Sequence, residues 1–139
     1  MEFEKQFSDF QADMVSICLE YCEKKADTIF IYTIYWQEKK IMSSTSTNFF
    51  FRVNNEMRAK HKIDGDVSFE RQKATMKILA ENATKIAKLF EQHNRPLPSE
   101  MKIVYDVNTN SIKADYTYDL DFAGKGSHDL HDEWFNSFS

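Results

Sequence analysis

The sequence predicts an α+β domain in which two β-hairpins form one antiparallel sheet with helices on one face, in the order α-β-β-α-β-β-α. Three observations lead there. Long stretches keep a helical apolar period, others concentrate or alternate β-branched and aromatic residues, and only three Gly and two Pro interrupt the 139 residues. Hydrophobic residues make up 42% and charged residues 29%, which is the balance of a folded domain rather than a disordered chain. A chain of this length buries about 68% of its unfolded surface. A single domain over residues 1–139 is therefore expected.

The elements follow in order. Phe3, Phe7, Phe10, Met14, Ile17 and Tyr21 recur at steps of four and three, the pattern of an amphipathic helix. "TIFIYTIYW", Thr28 to Trp36, reads as a well-buried strand. "QEKK" turns the chain into a second strand from Ile41 to Val53, whose Ser/Thr-rich centre leaves the hairpin register open. Asn54 to Val67 is irregular, and its "DGD" lacks the spacing of a calcium loop, so it reads as a turn into the next helix. That helix has Ser68 as N-cap, a stripe of Phe69, Gln72, Met76, Leu79, Ala83, Ile86 and Phe90, and stop signals at Asn94 and Pro96. A second hairpin alternates Met101, Ile103, Tyr105 and Val107, turns at "NTN", and alternates again through Ile112, Ala114, Tyr116 and Tyr118. A short terminal helix capped by Ser127 places Leu130, Trp134 and Phe138 on one side, with Asp129, Asp132 and Glu133 facing out.

Several function classes lose support at this level. The first ten residues have no continuous apolar run, and no stretch approaches a membrane span, so a cytoplasmic protein is expected. Cys18 and Cys22 are four apart in a helix, a spacing that seldom suits a disulfide, and read as reduced thiols at the margin of the core. There is no nucleophile motif and no Gly-rich phosphate loop, so neither catalysis nor a cofactor is expected. His128, His131 and Asp132 lie close together, but a metal site needs further ligands, and neither His61 nor His93 can be set beside them by spacing. No metal site is assigned.

Charge is the most informative feature. Between Asp106 and Glu133 seven acids face only Lys113 and Lys125, a net of −5, whereas the whole chain carries −4 and the remainder therefore +1. Acids on a strand face and in the first turn of a helix are ordinary. Aromatic residues interleaved with them are the composition of a protein-binding hot spot. The candidate partner-binding residues are Asp115, Asp119, Asp121, Phe122, His128, Asp129, Asp132, Glu133 and Phe135. Such a field attracts a basic protein and disfavours direct binding of nucleic acid.

The run "LPSEMKIVYDVNTNSIKADYTYD" with a terminal "HDEWF" resembles the C-terminal half of the YezG-like immunity proteins, small bacterial antitoxins that neutralise polymorphic toxins, many of them nucleases. The likeness covers about Leu97 to Phe135 and is looser upstream. It carries over to Tyr105, Asp106, Asp115, Tyr116, Tyr118, Asp119, Trp134 and Phe135, of which at least two of the three tyrosines are expected to be buried by strand parity. The resemblance implies a non-enzymatic protein that binds a cognate toxin and occludes its basic surface. Two other classes stay compatible with the residues: an adaptor or chaperone for a secreted protein, and a small metal-dependent hydrolase.

Overall fold

The computed structural model describes residues 2–138. Its elements are α1 (Glu2–Tyr21), β1 (Thr28–Glu38), β2 (Ile41–Val53), β3 (Glu56–Ala59), a 3₁₀ turn (Lys60–Lys62), α2 (Phe69–Gln92), β4 (Glu100–Asp106), β5 (Ser111–Thr117) and α3 (Ser127–Asn136). The strands form one five-stranded sheet in the order β3-β2-β1-β4-β5, antiparallel throughout. The α+β class and the seven predicted elements are all present. The added strand, β3, lies in the segment read as irregular. Asn54 and Asn55 both take left-handed backbone (φ 51° and 66°), the conformation of a two-residue hairpin turn, and return the chain against the end of β2. Lys39 and Lys40 (φ 52° and 68°) do the same between β1 and β2.

β1 is the middle of the sheet, and its first eight residues are all buried. On one face Ile29, Ile31 and Tyr35 join Phe49, Phe51, Met101 and Ile103 beneath Met14, Val15 and Cys18 of α1 and Leu79, Ala83 and Ile86 of α2. On the other face Phe30, Tyr32, Ile34 and Phe50 pack against Trp134 of α3. The expectation of helices on one face is thus corrected. α1 and α2 take one side and α3 the other, because a strand apolar at both parities leaves half its side chains in water unless both faces are covered.

Specific polar bonds fix the two long helices. The Tyr35 hydroxyl donates to Ala83 O at 2.7 Å, joining β1 to α2, and buried Asn82 donates to the Asp13 carboxylate at 2.7 Å, joining α2 to α1. Ser68 caps α2 by accepting from Arg71 N–H at 3.3 Å, and Asn94 closes its far end in left-handed backbone (φ 55°). Three details differ from the expectation. The buried stripe of α1 runs through Gln11 and Cys18, leaving Phe10 and Ile17 half-buried, so both thiols are inside the core rather than at its margin. Phe69 is 74% exposed, since it lies in the first turn of α2 before the helix reaches the sheet. Gly126, not Ser127, is the N-cap of α3.

Trp134 is the centre of the α3 face. Its ring lies 5.7 Å from Phe30, 5.2 Å from Phe50 and 5.6 Å from Tyr32, and Phe138 packs over Phe30 at 4.8 Å. Trp134→Ala is expected to cost about 3 kcal/mol or more. Urea denaturation checks this, and an unchanged midpoint would mean that α3 is not held by this side chain.

Candidate functional site

The acidic stretch occupies β5, the loop that follows it and the first turns of α3. Asp115 stands beside Lys102 in the β4–β5 register, on the sheet face that α3 covers. After Thr117 the chain leaves the sheet, and short bonds shape its path. Leu120 N–H donates to the Ser99 hydroxyl at 3.2 Å, Asp121 accepts from Ala123 N–H at 2.9 Å, and the Phe122 ring meets Trp36 at 4.5 Å. Asp129 accepts from Gly126 N–H at 3.4 Å and closes the start of α3. The loop is therefore a strap held at Leu120 and Phe122 against Ser99 and Trp36, and closed onto the start of α3 at Gly126.

This geometry divides the predicted site residues into two groups. Asp115, Asp119, Asp121 and Asp129 are exposed, and none of them forms an ion pair among the described residues. The others have internal partners. Glu133 meets Lys125 at 2.6 Å, while Asp132 lies 3.2 Å from His128 and 3.4 Å from His131. Phe122 and Phe135 are half-buried, Phe122 on Trp36 and Phe135 edge-on to Phe50 at 5.0 Å, so they hold the strap and helix in place instead of standing free. Asp132 is half-buried rather than fully outward.

The tyrosine expectation is corrected. Only Tyr105 is buried, at 8% exposure, whereas Tyr116 is 37% and Tyr118 48% exposed. β5 is an edge strand that α1 covers in part. The Tyr116 hydroxyl accepts from the Gln11 amide at 2.8 Å and its ring touches Phe7, but one side stays open. Tyr118 lies past the end of the strand, where parity no longer decides burial. Tyr118 thus adds aromatic surface next to Asp119, whereas Tyr116 points to the α1 side of β5, opposite Asp115.

Beneath the surface is a polar cluster that sequence reading missed. Glu100 is buried at 7% exposure and accepts from the Tyr32 phenol and, at 3.3 Å, from the Thr117 hydroxyl, with Lys102 Nζ 3.8 Å away. Burial first, and the adjacent carboxylate second, push the Tyr32 phenol far above its ordinary range, so it stays protonated and donates. The cluster ties β1, β4 and the end of β5 together where the strap departs. Its one sequence signal was a glutamate in register with Ile34, which needs the β1–β4 pairing to be known.

His128 and His131 behave differently. His128 is exposed, whereas His131 lies edge-on to Phe50 at 5.3 Å and its Nε2 is buried without a hydrogen-bond partner. It lines a small cleft of about 170 Å³ with Tyr32, Asn48, Met76 and His128. Among the described residues no three His, Cys, Asp or Glu side chains are grouped to hold a metal ion. Also among them, no helix is long and apolar enough to cross a membrane. No protein-family model matches the sequence, and no curated protein matches it.

Burial lowers the His131 pKa, the nearby Lys60 lowers it further, and the Asp132 hydrogen bond opposes both. A histidine with a depressed folded pKa takes up its proton more readily when unfolded. Stability is therefore retained above the ordinary value of about 6.5 and falls as pH drops below it. His131→Phe is expected to lessen the loss of stability between about pH 7 and pH 5. Urea titrations of both proteins at the two pH values check this, and equal losses would remove His131 from the account.

Proposed function

We propose that the protein is an immunity protein that binds a cognate toxin and blocks its basic surface, and that the toxin is a nuclease. The observation that carries this reading is the set of exposed carboxylates that form no ion pair among the described residues, Asp115 on β5, Asp119 and Asp121 on the strap and Asp129 in the first turn of α3, with Tyr118 exposed between Asp115 and Asp119. A nuclease presents a cationic groove shaped for phosphates. Fixed carboxylates beside aromatic rings fit such a groove with little ordering cost, because strap and strand are already held by Trp36, Ser99 and Gln11. The resemblance of residues Leu97 to Phe135 to YezG-like immunity proteins agrees with it. A cytoplasmic location, where a delivered toxin meets its target, belongs to the same reading.

Charge reversal separates steering from contact. Asp115→Lys, Asp119→Lys and Asp121→Lys together are expected to slow association with the toxin at low salt and to flatten its salt dependence, with the melting temperature nearly unchanged. The measurement is binding kinetics at two ionic strengths against the product of the adjacent reading frame, paired with growth of cells producing both proteins. Full protection and unaltered kinetics would reduce the acidic stretch to a solvated face.

A further inference from the structure

The sheet has an edge that the fold leaves half covered. β2 runs from Ile41 to Val53, but β3 pairs only with Phe50 to Val53. No strand among the described residues pairs with residues 41–49 on that side. The backbone polarity of the open part can be read from β1. Tyr35 donates its N–H to Ser99 O at 2.8 Å, toward β4, so Ile34 and its partner Ser46 face one another, and Thr45 and Thr47 turn their N–H and C=O groups outward. Phe49 N–H is the first outward donor beyond β3, and the neighbouring Asn48 side chain accepts from it at 2.9 Å. The Ser43 and Thr45 hydroxyls point inward, donating to Trp36 O at 3.0 Å and Ile34 O at 2.8 Å, so they do not occupy the edge. Residues 43–48 contain no Pro and no charge, the usual devices that blunt an edge.

Basic residues outnumber acids at both ends of this open edge, where Glu38 adjoins the hairpin tip and Asp132 of α3 faces Lys60. Exposed Lys39 and Lys40 stand at the hairpin tip, and Lys60, His61 and Lys62 stand where β3 ends, with Lys60 donating to Asn48 Oδ1 at 2.9 Å. At the hairpin end Ile41 is 57% exposed and, with Met42 and Leu97, lines a cleft of about 620 Å³. Lys39, Lys40, Lys88 and Arg95 also line it, with Glu91 the one acid among them. A second copy pairing antiparallel on this edge would set Lys39 and Lys40 against its partner's Lys60 and Lys62, so like charges oppose self-association.

We propose that the open edge of β2 between Ile41 and Asn48 is a second protein-binding site, which takes an extended segment with carboxylates at both ends from another protein. The segment adds as a strand in the lane that β3 vacates, bonds the Thr45 and Thr47 backbone, and places an apolar side chain in the cleft at Ile41. This goes beyond the acidic-strap reading and does not depend on it.

The test uses a labelled synthetic peptide of alternating Thr and Val flanked by Glu pairs, followed by fluorescence anisotropy, with a Lys-flanked version as control. The acid-flanked peptide is expected to bind at least about tenfold more tightly than the Lys-flanked one. Thr47→Pro, which removes an outward N–H, is expected to abolish binding. Combined Lys39→Glu, Lys40→Glu and Lys62→Glu is expected to weaken it by about tenfold or more without loss of fold. The charge variant carries the test if the proline variant does not fold. The reversed Asp115, Asp119 and Asp121 protein is expected to bind the peptide normally, which separates this site from the strap. Absence of binding at about 1 mM, equal binding of both peptides, or a concentration-dependent dimer that Thr47→Pro dissolves would each overturn the proposal.

Discussion

The structure depends on β1 being buried on both faces. A central strand with Ile29, Ile31 and Tyr35 on one side and Phe30, Tyr32 and Ile34 on the other needs cover from two directions, and a pair of helices on one side supplies only half of it. α3 provides the rest with very few residues. It succeeds because the aromatic side chains Phe30, Phe50, Trp134 and Phe138 give large contact areas per residue. The C-terminal segment is thus a structural element first, and its acids acquire fixed positions as a consequence. Glu133 is partly neutralised by Lys125, and Asp132 lies within reach of both His128 and His131, so the two carboxylates of this short helix each have a partner. The carboxylates left unpaired lie on the strap and on β5, where the backbone is tied down.

Helices and strands were legible in the sequence because their signals are local. The period of α2, its Ser68 cap and the alternation of β4 each depend on residues within a few turns of one another. The side taken by α3 was not, although β1 held the clue: apolar residues at both parities already demanded a second layer. β3 escaped because four residues, two of them charged, carry no periodicity. Its turn depends on two asparagines whose left-handed backbone is permitted rather than signalled by their side chains. Phe69 misled for the opposite reason, since it continues the stripe of α2 in sequence while the sheet ends before reaching it.

The candidate site was legible as a composition but not as a geometry. Counting acids singled out the stretch, yet it could not separate Asp115 and Asp119 from Glu133 and Asp132, whose partners come from residues one to eight positions away. Parity placed Tyr116 on the same face as Met101 and Tyr105, but an edge strand exposes residues that a central strand would bury. The uncovered edge of β2 had no sequence signature at all. It exists because β3 is much shorter than the strand beside it, and the two basic clusters flank it only once the hairpin is formed. Exposed carboxylates gather on β5 and the loop after it, whereas α3 brings Asp132 to the β2 side of the sheet, close to Lys60.

Amide hydrogen exchange of the protein alone and in complex with the product of the adjacent reading frame tests the central claim most directly, because it maps the contact without altering any charge. The account predicts slowed exchange through residues 115–133, strongest on the strap between β5 and α3, when the partner binds. Protection confined to the outer faces of α1 and α2, with exchange in 115–133 unchanged, would contradict it.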